Sequence, residues 1–325
     1  MLKILELFGG IGAPRKALEN LNIDLKSIDY VEILPHAVHA YNQIFDHSYK
    51  PQDVKTWNMN VDLLVHGSPC QDWSKNGLNN VNSGRSILYE RTLEIIEKEL
   101  NPRPKVVIWE NVPGLISKRH VEHFNHYLST MERLGYKNNF KILNSKHYGT
   151  PQNRERIFTV SLLEDKNFEF PKEVELTRTL KDYIDTTIDV TDYELSENEK
   201  SLFFERDGKM YIRENNKTGF REVKEFDSVN VERPNSKTRR GRVQDGMVAT
   251  LTTSPNIAVY YGNTIRKLTP KECWLLMGFT EKDYEQVASV GLPKAALYKL
   301  PGNSIVVTVL EAIFNELVKQ DILQI

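Results

Sequence analysis

Only two cysteines occur in 325 residues, Cys70 and Cys273. No disulfide framework can carry the fold, and the thiols read as reduced, in the cytoplasm. Net charge is also lacking: 43 Lys and Arg against 44 Asp and Glu leave −1, which neither marks a disordered polyelectrolyte nor names a partner. No stretch approaches the roughly twenty apolar residues of a bilayer span, so a membrane role has no support. The opening MLKILELFGGIG lacks the basic end, longer apolar core and small-residue cleavage pattern of a secretory signal. Internal repeats are missing too. What remains is globular in composition, 40% hydrophobic and 27% charged, and long enough for two domains or one domain with a large insertion.

Three textures follow one another. Up to about residue 175, short apolar runs alternate with helical patterns: LKILELF, DYVEIL, DLLVHGS, KVVIWENV, NFKILN and RIFTVSLL read as strands of an α/β sheet covered by helices on both faces. Residues 176–265 turn to short polar strands and turns, the mark of a smaller β-rich domain. RKLTPKECWLLMGF then opens a helix at Thr269 and Pro270, and GNSIVVTVLEAIFNELVKQ carries apolar residues at helical spacing, so it needs a partner surface.

Candidate sites gather where strands end. ILELFGGIGAPRKALE is a strand, a glycine turn and a helix start, in which Gly9, Gly10 and Gly12 let backbone approach a ligand; a bare structural turn is the alternative. Glu32 stands about twenty residues on, where an acid can accept both ribose hydroxyls. Asp53, at an expected third strand end, could accept from an adenine amino group. Together they describe a pocket for an adenosine-bearing cofactor, against the alternative of solvated loop acids. Cys70 follows an expected fourth strand, with Pro69 stiffening the backbone and polar Gln71, Asp72 and Ser74 around it, as suits an exposed thiolate nucleophile. Cys273, inside KECWLLMGF, suits a buried hydrophobe. Glu110 closes a buried strand, where a carboxylate is costly unless paired or functional. In HYGTPQNRERIFTV, Gln152, Arg154 and Arg156 alternate and are expected to point to one side, able to hold a carboxylate, a phosphate or a base carbonyl. His120, His123 and His126 cover too wide an arc for one metal ion and read as a solvated helix face.

FGGIG, GSPCQ, ENV, QNRER and GNSIVV, in this order, resemble the ordered motifs of the bacterial cytosine-C5 DNA methyltransferases over about residues 1–170 and 242–325. The resemblance implies a Rossmann-like doubly wound sheet binding S-adenosylmethionine in a discontinuous catalytic domain, 1–175 and 266–325. The smaller β-rich domain, 176–265, would be the target recognition domain. It further implies that Cys70 attacks C6 of a flipped cytosine, Glu110 serves N3, Arg156 holds the base and Arg154 orients the glutamate. Cofactor contacts carried over are Phe8, Gly10, Gly12, Glu32, Ile33, Asp53, Val54, Pro69, Leu88, Asn303 and Ser304, with S-adenosylhomocysteine as product. The first motif departs from the family pattern at Ala13 and Pro14.

DNA contacts are expected from Ser74 and Arg85 on the polar stretch 74–86, which suits a lid over the flipped base or equally a passive loop, from Gln152, and from the basic run ending in Arg239, Arg240 and Arg242, with a solvated charge run as the alternative. Arg242 resembles the arginine that braces the recognition domain. The expected protein is a cytoplasmic monomer acting on double-stranded DNA without metal or membrane. Family members occur beside a restriction endonuclease or as solitary and phage-borne enzymes, and the sequence does not separate these. A transfer-RNA cytosine methyltransferase would use the same constellation. A non-enzymatic DNA-binding regulator would not need Cys70, Glu110 and the cofactor acids together.

Overall fold

The computed structural model describes residues 1–54, 61–69, 88–236 and 241–324. It forms two compact units. The first joins Met1–Asn144, Glu155–Glu173 and Ser304–Ile325; the second joins Ser145–Arg154 and Val174–Asn303.

In chain order the elements up to residue 162 are β1 (Leu2–Leu7), α1 (Ala13–Asn20), β2 (Leu25–Val31), α2 (Pro35–Phe45), β3 (Leu63–His66), α3 (Leu88–Glu94), β4 (Val106–Asn111), α4 (Val121–Arg133), β5 (Lys137–Asn144), β6 (Gln152–Asn153) and β7 (Glu155–Leu162), of which β6 belongs to the second unit. Apolar runs such as LLVH of β3 are wholly buried, as strands covered on both faces must be. They pair in the order β2-β1-β3-β4-β7-β5. The first four strands run parallel, and β7 is antiparallel to both β4 and β5. From β1 the chain goes to β2 on one side, and β3 then adds on the other. This reversal opens a crevice beyond the carboxyl ends of β1 and β3, where open α/β sheets bind ligands. Beneath it Trp109 packs among His66, Tyr89, Phe124 and Tyr127.

Two expectations change here. Asp53 ends no strand: residues 48–53 are irregular, Pro51 has no N–H to give a ladder, and the Gln52 amide bonds the Glu32 carbonyl at 2.8 Å. Consequently Gly67–Pro69 follow the third described strand, not a fourth. Among the three histidines, His120 is buried and His123 meets the Tyr89 hydroxyl at 3.2 Å, which leaves only His126 exposed on α4.

The second unit continues with α5 (Glu197–Lys200), β8 (Phe203–Arg206), β9 (Lys209–Arg213), β10 (Phe220–Glu222), β11 (Ser228–Asn230), β12 (Val243–Gln244), β13 (Val248–Ala249), β14 (Ile257–Tyr261), β15 (Thr264–Lys267), α6 (Pro270–Leu275), α7 (Glu281–Ala288) and α8 (Lys294–Asn303). Its strands form small sheets, β10-β9-β8, β12-β11-β14-β15 and β13-β6, around a core that includes Ile212, Val229, Val231 and Ala258. The catalytic domain was expected to resume at residue 266, yet Arg266–Asn303 belongs to this unit. Pairing of β15 with β14 starts that attachment, and a buried ion pair completes it: Arg266 grips Glu272 through two bonds, 2.6 and 2.9 Å. Thr269 and Glu272 also form a capping box that opens α6, as the T-P-K-E pattern foretells.

The last helix, α9 (Val307–Lys319), returns to the first unit, where it packs on α1 and Asn20 bonds Glu311 at 2.5 Å. By length and composition Lys294–Lys319 does match a membrane span, contrary to the sequence reading. Most of that stretch is buried inside the protein, divided between α8 and α9, as core helices are.

Candidate active site

Four strand ends build the site. At the end of β1, Phe8 adopts φ 56°, a left-handed conformation costing roughly 1–2 kcal/mol for a residue with a side chain. The glycine turn follows, closed by the Gly12 amide bonding the Gly9 carbonyl at 2.9 Å. Gly12 sits at φ 80°, and a Cβ there would strike the Phe45 and Tyr41 rings at 2.4 and 2.6 Å, so only glycine fits. Gly10, at φ 55°, faces open space instead. Ala13 and Pro14 open α1, a position proline suits.

Glu32, just past β2, is tied to that turn. Its carboxylate accepts the Gly10 amide at 3.1 Å and the Leu34 amide at 2.9 Å. Burial raises its pKa, and these amide donors counter part of the rise. Beside this buried acid Ile33 and Leu34 lie 59% and 40% exposed, an apolar lip that nothing in the core requires. Asp53 and Val54 are drawn to the same end of the sheet by the Gln52–Glu32 backbone bond. Leu88 begins α3, whose next residue, Tyr89, stacks on Trp109.

The ends of β3 and β4 are laced together. Trp109 donates its indole N–H to Ser68 Oγ at 3.0 Å, and the Asn111 amide reaches the Ser68 carbonyl at 3.4 Å. A Cβ on Gly67 would stand 3.8 Å from Glu110 Oε2. The G-S-P segment that leads to Cys70 thus lies against the glutamate, with Pro69 its last described residue. Because β7 runs antiparallel to β4, its first residues come to the carboxyl end of β4. Glu110 pairs with Phe158, and Arg156, two residues earlier, shares that face and bonds Glu110 at 3.0 Å.

This pairing separates the two arginines differently from the family resemblance, which gave the glutamate-orienting part to Arg154. Arg154 lies outside β7, buried in the second unit, where its guanidinium bonds the Leu251 and Gly302 carbonyls at 2.9 and 3.2 Å. Gln152, expected at DNA, is fully buried: its amide donates to the Leu276 carbonyl at 2.9 Å and accepts the Leu251 amide at 3.1 Å. The three residues do not point to one side, because the short β6 ends at Asn153 before β7 begins. Asn303 is exposed at the end of α8, whereas Ser304 is buried at the start of the returning segment. Arg242 is exposed; the arginine that braces the second unit from inside is Arg266. Cys70, Ser74, Arg85, Arg239, Arg240 and the 74–86 stretch lie outside the described residues. Among those described, no three His, Cys, Asp or Glu side chains gather as a metal site.

Sequence reasoning missed Glu6 and His66. Glu6 is wholly buried at the end of β1 and accepts the Tyr41 hydroxyl at 2.9 Å and the Arg15 amide at 3.2 Å. His66, at the end of β3, stacks on Trp109, and burial holds its pKa down to about 3. Charged or polar residues inside runs buried on both faces were the available signal.

An open, mostly parallel sheet with its glycine turn, acid and carboxylate–arginine pair at the carboxyl edge defines a doubly wound α/β enzyme. The same fold occurs in Dnmt2 methyltransferase of S. pombe, at TM-score 0.69 and 19% identity over 98% of this chain and 99% of that one. A putative DNA modification methyltransferase of an E. coli prophage is similar at TM-score 0.68, covering 98% of this chain and 99% of the other. Residues 2–319 match the family of C-5 cytosine-specific DNA methylases, and the chain belongs to that family. Type II methyltransferase M2.ScrFI of Lactococcus lactis subsp. cremoris is 29% identical over 98% of this chain and 99% of its own length. M.MspI of Moraxella sp is 30% identical over 97% and 70%. The orphan methyltransferase M.SPBetaI of Bacillus phage SPbeta is 27% identical over 98% and 97%. The protein is therefore a DNA cytosine-5 methyltransferase.

Proposed function

We propose that this chain methylates C5 of a cytosine flipped from duplex DNA, with S-adenosylmethionine as donor and Cys70 as nucleophile. The lacing of Gly67–Pro69 against Trp109, Glu110 and Asn111, with Arg156 on Glu110, carries the reading: the segment entering Cys70 abuts the carboxylate–guanidinium pair. The cofactor fits the other half of the site. Gly10, facing open space, offers backbone for close approach, Gly12 seats the turn against the Tyr41 and Phe45 rings, Glu32 offers an anchored carboxylate for ribose hydroxyls, Ile33 an apolar surface for adenine and Asp53 an acceptor for its amino group. Bound there, S-adenosylmethionine supplies a methyl group on an electrophilic sulfonium.

Cytosine C5 is too weak a nucleophile to accept that group unaided. Cys70 forms a bond to C6 and pushes the C5–C6 π electrons toward C5, while Glu110 delivers the proton or hydrogen bond that N3 then needs. Arg156 bonds Glu110 and in this reading holds the base as well. After C5 is methylated, loss of its proton restores the double bond and expels Cys70. Flipping costs a few kcal/mol of unstacking and unpairing, supplied by protein contacts. The second unit serves target recognition in this reading. It carries the basic stretch around residues 233–242, suited to phosphate contact.

Nucleoside mass spectrometry tests the reading. Duplex DNA and transfer RNA are incubated with the protein and S-adenosylmethionine, with Cys70→Ser in parallel. The expected product is 5-methylcytosine in DNA, absent with the variant. Methylation of RNA alone would move the substrate, and methylation by the variant would remove Cys70 from its role.

A further inference from the structure

Glu6 is a buried carboxyl that the reaction above leaves idle. It lies at the head of the glycine turn, its own Cβ 3.2 Å from where a Gly9 side chain would start. Two donors hold it, the Tyr41 hydroxyl and the Arg15 amide in the first turn of α1. Among the described residues no cation is bonded to it: the Arg15 guanidinium pairs with Glu19 at 2.8 Å and lies over the Phe45 ring at 4.4 Å. Other groups facing it are Tyr30 opposite on β2, Tyr49 from the loop after α2, and Glu19 on α1, while β3 presents Val65 opposite and then an uncharged His66. His47 lies next to Tyr49, and burial followed by Arg15 lowers its pKa.

We propose that Glu6 is a charge sensor beneath the cofactor turn: it gives up its proton when a cationic ligand seats on Gly9–Gly12, so the site favours a sulfonium cofactor over its uncharged product. S-adenosylmethionine carries a sulfonium and an ammonium against one carboxylate, a net +1, whereas S-adenosylhomocysteine is neutral overall. A buried carboxylate with no bonded counter-ion is stabilised by the first and indifferent to the second. Burial, opposed by Tyr41 and Arg15, pushes the free carboxyl up to about 7, which leaves it half protonated near neutrality. Binding of the cation then expels the proton to solvent. Glu6 acts here as a positioning residue through electrostatics, and the inference rests on the cofactor reading given above.

Calorimetric titration with S-adenosylmethionine and with S-adenosylhomocysteine, from pH 6.0 to 8.5 in two buffers of different ionisation enthalpy, counts the proton. If binding lowers the Glu6 pKa from about 7 by about one unit, the wild type releases about half a proton at pH 6.5, and its affinity rises about fivefold from pH 6 to 8. Glu6→Gln loses that component, and the homocysteine product shows little of it. Tyr41→Phe, which keeps the carboxyl but removes a donor, moves the release to higher pH. Binding with no proton release, or with the same release in Glu6→Gln, overturns the inference while leaving the cofactor reading intact. No binding of S-adenosylmethionine at any pH overturns both.

Discussion

Two carboxylates, Glu6 in the first unit and Glu272 in the second, are both shut away from water, and their surroundings differ in one respect. Glu272 meets a guanidinium bidentately and also accepts the Thr269 and Asp185 amides at 2.7 and 3.0 Å. Glu6 receives an amide and a hydroxyl but, among the described residues, no bonded cation. A buried charge with a full set of donors becomes a brace that fixes α6 to β15, whereas one with a partial set stays close to losing its charge. Position follows the same division: the brace lies within the interior of the second unit, and the poised acid lies under the glycine turn proposed to hold the cofactor.

Removing the cation should expose the difference most strongly. Arg266→Met leaves Glu272 buried and unpaired, and should cost about 3–5 kcal/mol in urea unfolding, with much of it regained in Arg266→Met/Glu272→Leu. At the site, Glu110→Gln should lower kcat by about 10²–10⁴ with the melting temperature held, since it withdraws the group proposed to serve N3 while sparing the fold. Glu6 should behave in the opposite sense to Glu272. Its ionisation is raised from 4.5 to about 7, so its contribution to stability is whole below pH 4.5 and is lost as pH rises through about 7. Glu6→Gln should therefore gain on the wild type by roughly 1–3 kcal/mol between pH 5 and pH 8, measured by denaturant unfolding at each pH. The smallest effect is expected from Glu32→Gln: cofactor affinity falls about tenfold, as one charge-assisted contact to a ribose hydroxyl weakens, with little change in unfolding.

Much of the first unit was legible because its strands are apolar runs closed by glycine, proline or a polar pair; β1, β3, β4, β5 and β7 follow this pattern. Asp53 misled, since an acid some twenty residues after Glu32 looked like a strand end, and Pro51 was not weighed against a ladder. Glu110 and its motif neighbours were visible as motifs, but the choice of Arg156 over Arg154 depends on register across β4 and β7, which spacing alone does not give. Gln152 read as a surface amide because burial of a polar side chain is decided by distant partners, Leu251 and Leu276. Arg266 and Glu272 left a local trace in T-P-K-E, read as a helix start and not as a brace. Glu6 left almost none: a single acid in LKILEL looks like the polar face of a strand until both faces are seen to be covered.

The central claim, that Cys70 forms the covalent bond to a flipped cytosine beside Glu110, is tested most directly with duplex DNA containing 5-fluorocytosine at the target. Fluorine at C5 cannot leave as a proton does, so methylation traps the adduct. The account predicts a denaturation-resistant protein–DNA complex that requires S-adenosylmethionine and is absent in Cys70→Ser. A complex that persists in Cys70→Ser would contradict it.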